Sequence, residues 1–151
     1  MRRKDRERDA TFALEVLRDC EFITLATINL DGTPYCIPIN HALVDKTIYF
    51  HCAPEGQKLT NIKHNNNVCI TGVRHTKILP EKFTTEYESA VATGKCFEVT
   101  DDDEIILGLK KITEKYAMDH MDDFENMMDK YRGKVSVYKI ELEQITGKAN
   151  M

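Results

Sequence analysis

Three strand-like runs separated by tight turns constrain this chain more than any other feature. Residues 22–28 are a β-branched run, Asn29-Leu30-Asp31-Gly32 is a hairpin turn signal, and residues 33–44 resume as a strand. Asp45-Lys46 makes a second tight turn before residues 47–52. Connections this short predict three consecutive antiparallel strands.

The remaining segments add to that frame. Phe12, Ala13, Val16 and Leu17 form the stripe of a short amphipathic helix over residues 9–19, and residues 1–8, with acids between their bases, read as a flexible or solvated terminus. A short helix beginning near Gly56 buries Leu59 and Ile62 and stops at the Asn65-Asn66-Asn67 cluster. Residues 68–73 and 89–99 read as two more strands, and the polar stretch 74–88, with Pro80, as a loop or partner-facing excursion. Thr100 and Asp103 have capping-box spacing ahead of a helix with Ile105, Leu109, Ile112 and Tyr116 on one side. A second helical stripe holds Phe124, Met127, Met128 and Tyr131, and Met-rich stripes of this kind are usually core or interface filler. After Gly133 a last strand carries Val135, Val137, Tyr138, Ile140 and Leu142. The expectation is a mainly β fold with flanking helices, a six-stranded antiparallel closed or split barrel in one domain over residues 1–151.

Composition narrows the function. A net charge of −4, with no basic cluster outside the mixed N-terminus, argues against nucleic acid as a partner. No apolar run is long enough to span a bilayer, so no membrane role is expected. Cys20, Cys36, Cys52, Cys69 and Cys96 are widely spaced, which excludes C-x-x-C zinc or dithiol motifs and fits reduced thiols in the cytoplasm. The five histidines include no H-E-x-x-H pair, so no metal site is expected, and the usual phosphate-loop and hydrolase signatures are missing.

One stretch does suggest a ligand. Ile48-Tyr49-Phe50-His51-Cys52 runs as a strand, breaks at Pro54 and Gly56, and restarts as a helix with Gln57 and Lys58 in its first turn. A helix start presents unpaired N–H groups, and a lysine there adds positive charge, a combination suited to a phosphate. Phe50 and His51 would stand at the rim of such a site, and an imidazole there could donate a hydrogen bond.

This stretch, together with Ile23-Thr24-Leu25-Ala26-Thr27 and Asp31-Gly32-Thr33-Pro34-Tyr35, then residues 80–89 and Ile145-Thr146-Gly147-Lys148, resembles the FMN-binding split β-barrel family related to pyridoxamine 5′-phosphate oxidases. The paired threonines and Tyr87-Glu88-Ser89 are most similar to its nitroimidazole-resistance branch. The resemblance implies a homodimer with FMN at the interface, the ring lying along Ile37, Pro38, Ile39 and Asn40, and the phosphate held by Gln57 and Lys58. It also implies that His51 faces the phosphate or ring, making it the best catalytic candidate, and that Ser89 reaches the flavin from the second subunit. Only one of the Gln57-Lys58 pair is basic, a departure from the family's charged pair. The basic substrate contacts of true pyridoxamine phosphate oxidases have no counterpart after Tyr138, so the implied activity is reduction of a small acceptor such as a nitroaromatic. A flavin- or haem-binding protein without turnover, and a deazaflavin-dependent reductase, are the alternatives.

Overall fold

The computed structural model describes residues 2–151. Eight strands make one antiparallel sheet: β1 (Glu7–Arg8), β2 (Ile23–Ile28), β3 (Pro34–Ile39), β4 (Ala42–Val44), β5 (Thr47–Cys52), β6 (Asn67–Leu79), β7 (Thr84–Glu98) and β8 (Ser136–Asn150). The strand order is β3-β2-β6-β7-β8-β5-β4, with β1 added to β8. The two ends of this path, β3 and β4, are consecutive in the chain and separated only by Asn40 and His41. They are the halves of one bent strand, and the sheet curls round so that this strand belongs to both of its margins. With β1 set aside, the six expected strands of a split barrel are recovered.

Alternation decides which side chains enter the barrel. Ile23 and Leu25 on β2, Ile48 and Phe50 on β5, Ile70 on β6, and Tyr138 and Ile140 on β8 all point inward and are almost completely buried. Two helices lay apolar edges on this core, α1 (Ala10–Asp19) through Ala13, Val16 and Leu17, and α2 (Gln57–His64) through Leu59 and Ile62. The Asp9 carboxylate accepts from the Phe12 N–H at 2.9 Å and fixes the start of α1. A second, smaller core lies outside the barrel. There α3 (Asp102–Tyr116) packs Ile112 against Ala42, Tyr49, Val99 and Val137. Gly108 permits the close approach, since a Cβ there would stand 3.0 Å from the Tyr49 ring. The chain continues through a 3₁₀ segment, Met118–Asp123, into α4 (Phe124–Tyr131).

The structure departs from the expectations in three places. The stretch 74–88 is no loop: β6 and β7 run on as a two-stranded arm through Lys77↔Glu86 and Leu79↔Thr84, turning at residues 80–83. Both arm strands extend beyond the core, so no apolar alternation marked them in the sequence. The N-terminal residues are not wholly solvated, because Glu7 and Arg8 pair with Lys148 and Gly147 of β8. The cap of α3 is Asp101 rather than Thr100, its carboxylate accepting from the Glu104 N–H at 2.9 Å. A carboxylate at the positive helix end is the stronger cap.

Candidate functional site

The barrel is split where its bent strand divides. On the β4 side the ladder to β5 ends at Ala42↔Tyr49, so Phe50, His51 and Cys52 pair only with β8. On the other side β3 pairs only with β2. Two strand margins therefore carry unpaired backbone groups, and Asn40-His41 forms the hinge between them.

Which groups of β3 are available follows from its prolines. Pro34 and Pro38 share one parity, and a proline fits an antiparallel ladder where the backbone points away from its partner. Tyr35, Ile37 and Ile39 then direct their N–H groups to β2. Between the two prolines, only Cys36 offers both an N–H and a carbonyl to the open margin. The side chains of Ile37 and Ile39 pack partly against the inner core, whereas Cys36 and Pro38 face outward. Of the stretch Ile37, Pro38, Ile39 and Asn40, the surface open to a ligand is thus Pro38 and Asn40, with Cys36 beside them.

Near the split, α2 begins at Gly56, whose φ of 137° is a conformation side chains rarely adopt. Leu59 and Thr60 donate to the Gly56 carbonyl, and no side chain caps the helix. The N–H groups of Gln57 and Lys58 precede the first helical bonds and stay available. Among the described residues no carboxylate pairs with Lys58. The Gln57 side chain turns away from this end: its amide donates to Asn61 Oδ1 at 2.9 Å and Asn29 Oδ1 at 3.3 Å. Asn61, wholly buried, donates in turn to Thr27 Oγ1 and Asn29 Oδ1. Gln57, expected as half of a phosphate pair, can offer its backbone N–H but has its side chain committed to the barrel wall.

The other site residues separate by face. Phe50 is completely buried and stacks on Tyr138 with ring centroids 5.7 Å apart. It supports the strand and has no side-chain surface for a ligand, a correction that follows from its inward parity. His51 points to the opposite face, toward α3 and α4. It is exposed, yet surrounded by enough protein for burial to lower its pKa, so the imidazole is neutral at pH 7. Cys52 turns into the core and burial raises its thiol pKa against the opposing pull of Lys58, which excludes a thiolate nucleophile. Ser89 lies on β7 between Val73 and Lys148, its hydroxyl donating weakly to the Lys148 carbonyl at 3.4 Å. It occupies the outer sheet face with Pro38, across two intervening strands, and one chain does not bring it to the split.

One buried histidine stands at the hinge itself. His41, at the hinge, has no exposed surface, and its Nε2 donates to the Leu17 carbonyl. Lys115 Nζ lies 3.2 Å from the same nitrogen, and burial plus this neighbour push the His41 pKa down to about 4. With Nε2 carrying the proton, Nδ1 is left without a partner among the described residues. The backbone N–H of His41 donates to the Tyr116 hydroxyl at 3.1 Å, which itself donates to the Glu21 carbonyl. The hinge is therefore clamped to α1 and α3.

A split antiparallel barrel with an uncapped, lysine-bearing helix start beside its opening defines the architectural class. Residues 9–149 match the family model described as pyridoxamine 5′-phosphate oxidase, and the chain belongs to that family. Among solved structures it is similar to a proposed 5-nitroimidazole antibiotic resistance protein from Bacteroides thetaiotaomicron, at 27% identity over 94% of this chain and 84% of that one, TM-score 0.77. It shares its fold with an FAD-binding protein from Mesorhizobium loti (22% identity, 97% and 98% of the two chains, TM-score 0.67). A haem-binding protein from Mycobacterium smegmatis also has this fold (13% identity, 94% and 57%, TM-score 0.70). No curated protein matches the chain.

Proposed function

We propose that this chain is an FMN-dependent oxidoreductase that reduces a small acceptor of the nitroaromatic type, acting in the cytoplasm as a homodimer with the flavin between its copies. The observation that carries this reading is the uncapped start of α2, with Lys58 free of carboxylate partners, beside the split. A phosphate dianion fits there: the N–H groups of Gln57 and Lys58 would donate to it and the ammonium would offset its charge. The outward backbone of Cys36 and the surfaces of Pro38 and Asn40 would take the flat ring. Bound FMN would supply the electron transfer itself. His51, neutral and exposed, would present one hydrogen-bonding nitrogen beside the ring. Ser89, on the bare outer face, would serve the second copy's flavin.

Family membership and the Bacteroides relative support this reading. Among the described residues no helix is long and apolar enough to cross a membrane. The rival reading, a flavin- or haem-binding protein without turnover, draws on the lack of an acid–base partner for His51 among the described hydrogen bonds. Deazaflavin use is the third, and cofactor identification after denaturation separates it. Anaerobic mixing of the chemically reduced FMN-loaded protein with a nitroaromatic tests the enzyme claim. Flavin reoxidation well above the rate of free reduced FMN supports it, and a rate no faster than free FMN leaves a binding protein.

A further inference from the structure

The face to which His51 points is not closed. The stripes of α3 and α4 face one pocket, Leu109, Ile112 and Thr113 on one side and Phe124, Met127, Met128 and Tyr131 on the other. With His51 and Val135 they line a partly open cavity of about 310 Å³. This volume is at the lower end of small-molecule sites, about 300–1,000 Å³.

Its lining selects a ligand by chemistry. No carboxylate, ammonium or guanidinium contributes to the wall, so a charged guest would lose its hydration without a partner. Asp119, Asp122, Asp123, Glu125 and Asp129 crowd the segment that forms the outer wall, outnumbering Lys130 and Arg132, and disfavour anions further. Methionine sulfur and the Phe124 and Tyr131 rings favour aromatic contacts, and unbranched methionines repack around guests of different outline. The hydroxyl of Thr113 is already donated to the Leu109 carbonyl at 2.9 Å. His51 and the Tyr131 hydroxyl are then the polar groups left to orient a guest, and His51 is the one shared with β5.

We propose that this cavity binds a small, uncharged aromatic or heteroaromatic molecule of one or two rings, with the His51 imidazole accepting or donating one hydrogen bond at its mouth. Because the Met127 and Met128 stripe and the split share His51, the cavity would hold the acceptor beside the cofactor. That role rests on the flavin reading, whereas binding itself does not.

Indole is a suitable probe, since the chain has no tryptophan and the probe's own fluorescence can be followed with the full-length protein and no added flavin. Saturable binding of one indole per chain is expected, with the methyl resonances of Met127 and Met128 moving and that of Met151 unmoved. Met128→Phe should fill the cavity and weaken binding at least tenfold. His51→Leu, at an exposed position that preserves the fold, should weaken indole about fivefold, the value of one net hydrogen bond, and leave naphthalene unchanged. Absence of saturable binding overturns the proposal, as do shifts that extend to Met151 or an unaltered affinity in Met128→Phe. Methyl shifts that follow protein concentration without indole also overturn it, since a second copy would then fill the cavity. Indole binding without any FMN binding would retain the cavity and defeat the flavin reading; FMN binding without indole would do the reverse.

Discussion

The outer surface of the barrel has two halves that differ in what covers them. Over β4, β5 and β8 lies α3, and the outward side chains Ala42, Tyr49 and Val137 are buried in the second core. Over β3, β2, β6 and β7 lies nothing. There the register aligns Cys36, Ala26, Cys69 and Thr93 in one row and Pro38, Thr24, Thr71 and Val91 in the next, with Val73 and Val91 about half exposed. The bare half is made of small or β-branched residues and has no charged side chain in either row. A surface meant only for water would carry lysines and glutamates at such positions. The covered half shows how the fold buries an outward face when a helix is available, and the bare half shows the same strand alternation left for another occupant. We read that occupant as the second copy with its flavin.

Ile112→Ala on the covered half should destabilise the chain by about 2–5 kcal/mol, the usual cost of emptying a packed position. Val91→Ala on the bare half should cost no more than about 0.5 kcal/mol in dilute protein. Urea denaturation compares the two, and equal losses would mean that the halves are covered alike.

The hinge between the halves gives the next effect. His41 has a folded-state pKa of about 4 against 6.5 for the free side chain, so the unfolded chain binds the extra proton. Stability contributed by the neutral imidazole is whole above pH 6.5 and is lost as pH falls toward 4, about 3 kcal/mol in all. Denaturation midpoints across that window should slope in the native protein and flatten in His41→Gln. A slope that survives the substitution would place the titrating group elsewhere.

Two smaller effects sharpen the picture. Val91→Arg puts a charge in the bare rows and should weaken self-association at least tenfold, about 1.4 kcal/mol, as sedimentation reads it; an unchanged mass would remove this face from any dimer. Tyr49→Phe removes a hydroxyl that donates to Glu104 Oε1 at 2.9 Å beneath α3, and should cost about 1 kcal/mol. Burial and that carboxylate raise the tyrosine pKa to about 12, so its ultraviolet titration should lie above that of exposed tyrosines.

Much of the barrel was legible because the β-branched run 22–28 and the strands after it are punctuated by the turn signals Asn29-Leu30-Asp31-Gly32 and Asp45-Lys46, which leave room only for antiparallel hairpins. The helix start proposed to hold a phosphate was legible for a local reason, a Gly and a Lys in its first turn. What was hidden depended on contacts distant in sequence. Phe50 and His51 are neighbours, and only the β5–β8 pairing shows that the first is core and the second faces α4. Gln57 is drawn away by Asn29 and Asn61, one of them on a different element. The arm was hidden because it is mostly polar, and its apolar residues near the tip, exposed Ile78 and Phe83 beside buried Leu79, leave no period to read.

The most direct measurement is a titration of the purified protein with FMN and, in parallel, with riboflavin. One FMN per chain is expected, with riboflavin bound more weakly and a loss of about 1.5–3 kcal/mol, roughly ten- to 150-fold, for FMN alone in Lys58→Ala. Equal affinity for the two flavins, or an FMN affinity that ignores Lys58, would contradict the phosphate site at the start of α2.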